Sequence, residues 1–404
     1  MNLEFIKNWL KQFRLIYYIN AFLKSHQLKY RSNKITKKYN KKFLNQGFFY
    51  DELSAINSFK EKHLQLKPNF YSKKHESLNI FWVGASEAQD NSGFIQALGR
   101  IGKVTKFFNH DGGYGPFRAI NNLDWIKVRE INDEDLIRQV TIAHEQDSID
   151  FLIGQMWAHL LSERALLKVR SLGIPIINIS MDDRLPNLWQ NRNGYRVGAV
   201  GLSSGVDLTL TTSPEVCKWY AAENMPALFW PLASDDKLFL CEDYQNKDID
   251  ILFIGNRYGI RGSIVEYLLK QNISVDCYGN GWPNGYVNAE QNISLSKRAK
   301  IILGVGSIGH CDDIFTLKLR DFDALMTGAL YITHRNPDLK LLFQEGKHLE
   351  CYSSMEELAL KLKYFLANPN KCIEIGTRGN ALAKKEHTWD FRLSSTFLKI
   401  GLIS

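Results

Sequence analysis

Apolar residues in this chain come in short continuous runs, and that pattern constrains the fold more than any other feature. Runs at 79–83, 103–108, 149–153, 174–180, 206–212 and 227–232 are rich in Ile, Val, Phe and Thr and end in polar or Gly-containing turns. Helical periodicity fills the intervals at 92–101, 134–144, 161–171 and 214–222. A strand covered on both faces needs no polar side, so such runs separated by amphipathic helices predict a parallel sheet with helical crossovers. A polar stretch at 233–248 reads as a linker. A second series then starts, with strands at 249–254, 274–278, 300–305, 329–333 and 348–352 and helices at 262–270, 317–326, 337–343, 354–366 and 371–385. At 404 residues the chain exceeds one ordinary core. The expected fold is α/β: two Rossmann-like domains, 77–232 and 249–404, facing a cleft, with a basic helical N-terminal extension over 1–76. Ligands of such sheets bind beyond the carboxyl ends of the strands.

Charge is concentrated at one end. The net charge is +8, yet residues 1–46 hold eleven Lys and Arg against Glu4 alone, so the remainder carries 8 − 10 = −2. A near-neutral body implies no general nucleic-acid surface; nucleic-acid binding through the basic arm is a rival reading. Leu3, Phe5, Ile6, Trp9, Leu10, Phe13, Ile16, Tyr17 and Ile19 recur at helical spacing between basic residues. Such a helix docks on the protein's own body, as an appendage packed on the first domain, or lies in a membrane interface, with an anionic membrane surface as the partner of residues 1–46 in that second reading. Six scattered cysteines read as reduced thiols, and no apolar run is long enough to span a bilayer. A cytoplasmic protein, peripheral on the inner face of the membrane, is the expectation.

Candidate site residues follow from strand ends and turns. Asp323 precedes the capping Gly328 on a helix otherwise committed to packing, and a carboxylate aimed at a sheet's ligand edge suits a vicinal diol such as a ribose. Gly255-Asn-Arg257-Tyr-Gly-Ile-Arg261 follows a strand and opens a helix, so its amides and guanidinium groups suit a diphosphate; its glycines equally suit a tight surface turn. Gly306 and Ser307 leave the third C-terminal strand as a base-contact loop or as a plain strand exit. Asp182 and Asp183 come directly after the run at 174–180, as acceptor-side acids or as caps. His110 opens a Gly-rich loop after the second strand, and His159 reads as a core histidine. Asp248/Asp250 and Asp321/Asp323 have the spacing of a metal-binding pair, but one leads into a strand and the other lies on the packed helix, so no metal site is expected.

The sequence Arg320-Asp-Phe-Asp-Ala-Leu-Met-Thr-Gly-Ala-Leu resembles the C-terminal signature of the spore-maturation, CgeB-type glycosyltransferase-like family, which usually shows Arg-x-Phe-Glu-Ala-x-x-x-Gly. The likeness runs from about Asp248 to Arg392 and includes Ile251-Leu-Phe-Ile-Gly-Asn-Arg, Tyr278-Gly-Asn-Gly-Trp and His387-Thr-Trp-Asp-Phe-Arg. It implies a metal-independent GT-B glycosyltransferase, suspected to be retaining. The implied donor is a nucleotide sugar, bound as substrate, with no cofactor; the implied acceptor is a glycan, lipid-linked or protein hydroxyl in bacterial surface-glycan synthesis. It assigns the ribose to Asp323 and the diphosphate to Arg257 and Arg261, with Lys318 and Arg320 in reserve. Where the wider group carries a second glutamate this chain has Phe315; the nearest acids are Asp312 and Asp313. An epimerase of the same build and a non-catalytic nucleotide- or glycan-binding protein are the alternatives.

Overall fold

The computed structural model describes residues 14–45, 47, 50–74, 77–118, 124–241, 243–309, 311 and 313–404; side chains 14–18, 20 and 21 are outside the description. Most of the apolar stretch at the N-terminus, and Asp312, therefore lie outside the described residues.

The chain starts with helices α1 (Arg14–Asn45) and α2 (Glu52–Leu66). The first domain follows as β1 (Leu78–Val83), α3 (Glu87–Asp90), α4 (Phe94–Ile101), β2 (Gly102–Lys106), α5 (Trp125–Gln146), β3 (Phe151–Gly154), α6 (Glu163–Arg170) and β4 (Ile176–Ser180). A small hairpin, β5 (Asn191–Arg192) and β6 (Tyr195–Arg196), precedes β7 (Leu208–Thr211), α7 (Pro214–Ala221) and β8 (Ala227–Phe229). The six longer strands form one parallel sheet in the order β2-β1-β3-β4-β7-β8. Every residue of β1, β3, β4 and β7 is buried, as runs without polar alternation require.

A short helix, α8 (Asp236–Phe239), leads to the second domain: β9 (Ile249–Ile254), α9 (Arg261–Lys270), β10 (Asp276–Tyr278), α10 (Ala289–Arg298), β11 (Ala299–Leu303), α11 (Arg320–Met326), β12 (Leu330–His334) and β13 (Glu350–Tyr352). The chain closes with α12 (Met355–Ala367), α13 (Pro369–Glu386) and α14 (Trp389–Lys399). The second sheet is parallel in the order β10-β9-β11-β12-β13. In each sheet the chain first builds outward on one side and then reverses, between β1 and β3 and between β9 and β11. Loops leaving strands on either side of such a reversal diverge and open a crevice.

Three expectations change. The stretch 233–248 is not a solvated linker: Ala233, Ser234, Asp235 and Phe239 are buried. Asp235 caps α8 through the Lys237 amide at 2.9 Å and binds Arg100 at 2.9 Å. The second domain does not retain the chain to its end, because α14 returns to the first sheet. There Trp389 meets Phe94 edge-on at 5.0 Å, Phe397 packs on Phe151 at 5.1 Å, and Trp230 donates to the Thr396 hydroxyl at 2.9 Å. Finally, the helix expected at 337–343 is a single 3-10 turn, Leu339–Leu341.

Helix α1 reaches both domains. Tyr39 is buried among Trp189, Trp219 and Tyr220 of the first, where Lys42 also pairs with Glu223 at 2.7 Å. Leu28 packs on Ile308, Cys311 and Ile314 of the second, and Lys29 pairs with Asp313.

Candidate active site

Two cavities lie between the domains, at the carboxyl ends of the strands flanking the two reversals. The larger, about 900 Å³, is walled by the loops after β1, β2, β3 and β4 and, opposite, by Arg261 and Leu317–Arg320. The smaller, about 300 Å³, extends into the second domain between β9, α10 and α11. They meet at Ser86, Gln89, Leu319 and Arg320.

A cluster of cations stands at that junction. The guanidinium of Arg320 lies 4.7 Å from the Phe253 ring and that of Arg261 lies 5.6 Å from it. Arg320 Nη2 donates to the Ile254 carbonyl, while its Nη1 is buried without a hydrogen-bond partner. Burial first, and then the neighbouring Arg320, pull Arg261 below its usual value. Two cations brought this close out of water cost free energy unless an anion joins them. Gly255 makes the arrangement possible: its φ is +151°, and a Cβ there would stand 2.6 Å from Arg320 Nη2 and 3.2 Å from Arg261 Nη1. Its amide is already given to the Tyr278 carbonyl at 2.8 Å, so Gly255 contributes space and not a phosphate donor.

Lys318 extends the positive edge into the larger cavity and donates to Asp182 Oδ1 at 2.8 Å, across the cleft. Asp182 sits in the left-handed region, φ +58°, at the exit of β4. Nearby, Arg184 binds Asp338 through both terminal nitrogens at 2.6 and 3.0 Å and donates to the Phe315 carbonyl at 3.0 Å, clamping the same loop to the second domain.

Asp323 lines the smaller cavity with Asn288 and Ser296. Its Oδ1 has no partner, and burial pushes its carboxyl up to about 8, with the Ser234 side chain and then Arg320 opposing the shift. A raised carboxyl with one unpartnered oxygen in a cavity wall can exchange its proton for hydrogen bonds from a ligand.

Several expected residues are elsewhere. Asp183 is buried behind the cleft, where it accepts from the Ser180, Thr211 and Tyr220 hydroxyls, the last two at 2.5 and 3.0 Å. Burial raises its carboxyl, and it orders the β4 exit without reaching either cavity. His110 is exposed beside Asp111, at 3.2 Å, and Phe117, and its side chain lines neither cavity. Arg257 pairs with Glu266 at 2.7 Å and covers Trp282 at 5.3 Å, outside both cavities. Gly306 and Ser307 pack under the chain, with Ser307 bridged to Phe315. Asp313 is held by Lys29, and Phe315 stacks near His334 at 5.7 Å. The spaced aspartates serve other ends: Asp248 and Asp250 pair with Arg298 and Lys300, and buried Asp321 accepts from the Lys318 amide at 2.7 Å.

A histidine that the sequence reads as structural, with residues it does not single out, completes the acceptor-side wall. His159 lines the larger cavity with Trp157, Gln155 and Arg118. Its Nδ1 meets the Val197 carbonyl at 2.7 Å, so Nδ1 carries the proton and Nε2 is left as an acceptor. Burial holds the ring below its usual value, in the neutral form. Its place just beyond the end of β3 was the available signal.

Residues 261–397 match the family model described as Glycosyl transferase-like. No curated protein matches the sequence. Sucrose-phosphate synthase from Thermosynechococcus elongatus superposes with a TM-score of 0.56 at 11% identity, covering 79% of this chain and 98% of that one. Anabaena Alr3699/HepE in complex with UDP-glucose gives 0.56 at 11%, covering 80% and 100%. A glycosyltransferase from Rickettsia africae gives 0.54 at 8%, covering 80% and 98%. The fold is GT-B. In this GT-B chain the matched segment runs from Arg261 through Arg320 and Asp323 into α14, so it includes the cation cluster and all of the second-domain wall except the β9 end at Leu252, Ile254 and Gly255.

Proposed function

We propose that the protein is a glycosyltransferase moving a sugar from a nucleotide donor to an acceptor hydroxyl. The observation that carries this reading is the pair of guanidinium groups, Arg261 and Arg320, over the Phe253 ring beside the junction of the two cavities, with a buried guanidinium nitrogen of Arg320 unpaired. An anion belongs there, and Asp323, with its Oδ1 unpartnered, lines the smaller cavity alongside. A nucleoside diphosphate satisfies both: ribose hydroxyls toward Asp323, phosphates toward Arg320 and Arg261, and the sugar in the larger cavity. Structures sharing the fold include one holding UDP-glucose.

In the reaction the acceptor oxygen bonds to the anomeric carbon while the bond from that carbon to the phosphate oxygen breaks. Negative charge grows on the leaving diphosphate, where Arg261, Arg320 and Lys318 stabilise it more strongly than in the bound donor, which is the condition for lowering the barrier. These three cations supply charge that a divalent metal supplies in other transferases. Asp182 takes the acceptor proton. Lys318 donates to Asp182 and lines the larger cavity with Arg261 and Arg320, so the base and the cations for the leaving group stand together, an arrangement that favours attack from the leaving-group face and retention. His159, neutral and with Nε2 free to accept, orients an acceptor or sugar hydroxyl.

Thermal melting with a panel of nucleoside diphosphates tests the reading, since a ligand of the native state alone raises the melting temperature. One base should give a concentration-dependent rise that Arg320→Ala abolishes. Proton NMR of the product from the matching donor then reports the anomeric configuration. A flat response to every nucleotide would overturn the proposal, and conversion of the donor to a rearranged free sugar without acceptor would favour an epimerase.

A further inference from the structure

Helix α1 has two different long faces. Its inner face carries Ser25, Leu28, Ile35, Tyr39, Asn40 and Phe43 and is packed on both domains. The outer face starts with Ile19, Phe22, Leu23 and Tyr30, which are 51%, 62%, 53% and 70% exposed. At 100° per residue these four fall within one stripe, and Lys34, Lys37 and Lys41, all exposed, continue the same stripe toward the C-terminal end. From Arg14 to Asn45 the helix has no acidic residue. A soluble helix normally turns apolar residues inward, so a stripe of large apolar side chains on the face opposite the packed one needs a partner of its own.

We propose that this outer face is a docking surface for an anionic lipid bilayer. The chemistry selects the partner from both ends of the stripe. Phe22, Leu23 and Ile19 suit the boundary of headgroups and acyl chains, Tyr30 the headgroup level, and the lysines anionic headgroups. A nucleic acid would use the lysines but gives the aliphatic residues nothing to enter. No described helix is long and apolar enough to cross a membrane, so attachment through this face is interfacial. The inner face of α1 packs with Leu185 and Leu188, which also line the larger cavity, so a docked α1 sets that cavity's rim about one helix diameter, ~10 Å, from the lipid. The consequence for the acceptor, that it stays anchored in the lipid while it reacts, rests on the transferase reading; the docking surface does not.

Because Tyr39 and Leu28 are buried against both domains, removing α1 would disturb the fold, and the test uses point variants of the full chain. Vesicles of phosphatidylcholine containing about a quarter phosphatidylglycerol are sedimented with the protein, against pure phosphatidylcholine vesicles. The wild type should bind the anionic vesicles, release at high salt, and bind neutral vesicles weakly. Phe22→Glu/Leu23→Glu and Lys34→Glu/Lys37→Glu/Lys41→Glu should each lower the apparent affinity on the order of tenfold or more, given the strength of single lysine–lipid contacts. Both should keep the wild-type melting temperature and its rise with nucleotide, which separates loss of docking from loss of the fold or donor site. Wild-type sedimentation by both variants would overturn the proposal. So would loss in the lysine variant alone, matched by loss of binding to single-stranded RNA, which would make the face a polyanion site.

Discussion

A buried carboxyl in a cavity wall keeps its proton until a ligand or a change of pH removes it. Asp323, raised by burial from 3.8 to about 8, is in that condition. Between those values the folded protein holds a proton that the unfolded chain has released, so the folded state binds more protons and stability falls as pH rises through the window. Asp323→Asn should flatten that fall. Calorimetric melting at pH 5.5 and pH 8 should show a smaller drop for the variant than for the wild type. Asp323→Ala should weaken nucleoside diphosphate binding by about 1.5–3 kcal/mol, read by titration calorimetry, if the carboxyl receives the ribose hydroxyls. The adjacent acids of the β4 exit should separate cleanly. Asp182→Asn should lower kcat on the order of 10²–10⁴ with little effect on melting, as loss of a general base does. Asp183→Asn should reduce stability by about 1–3 kcal/mol, because the Ser180, Thr211 and Tyr220 hydroxyls meet a weaker acceptor. Equal kinetic damage from both would place Asp183 in the machinery after all.

At the scale of elements, the turn between β9 and α9 decides where the phosphate-facing cations stand. Gly255 combines a φ of +151° with contact distances that a Cβ could meet only by pushing the Arg320 or Arg261 guanidinium aside. Gly255→Ala should therefore cost about 1–3 kcal/mol from backbone strain, seen in denaturant unfolding, and displace Arg320 or Arg261. Nucleotide affinity should fall in parallel even though no ligand-facing group is removed. The glycines of this turn were visible in the sequence as a turn, and either a phosphate cradle or plain punctuation was consistent with them. What they do instead is give room to an arginine arriving from α11, a long-range contact that local spacing does not encode.

Across the whole molecule, the two domains are held by a small number of charged contacts at the cleft's edge and by a continuous core beneath it. Trp389, Phe397, Phe322 and Leu252 join Ile80, Trp82 and Phe151 in one apolar cluster. The Arg184–Asp338 pair spans the interface with Arg184 one-sixth and Asp338 hardly exposed. Arg184→Ala leaves Asp338 without its cation in a buried setting and should cost about 3 kcal/mol, checked by calorimetry. Small-angle scattering should show a larger radius of gyration if the clamp also sets the angle between the domains. Unchanged melting would mean that the core alone fixes the interface.

By itself the sequence determined the class of fold. Buried parallel strands need continuous apolar runs, and the runs at 79–83, 149–153 and 249–254 coincide with β1, β3 and β9 to within two residues because that requirement is local. Local chemistry also marked Asp182, Arg261 and Asp323, and the family resemblance added Lys318 and Arg320; the fold brings all five to one cleft. Tertiary structure decided the rest. Asp182 and Asp183 are neighbours in sequence, yet a left-handed residue turns one into the cleft and the other into the core. Arg257 and Arg261 look interchangeable on paper, yet Glu266 and Trp282 take the first away. The polar residues at 233–236 looked solvated because their partners, Arg100 and the backbone at His387–Trp389, lie more than a hundred residues distant. Periodicity reports which face of an element is buried; which buried polar group finds a partner, and which is left for a ligand, depends on contacts that only the folded chain creates.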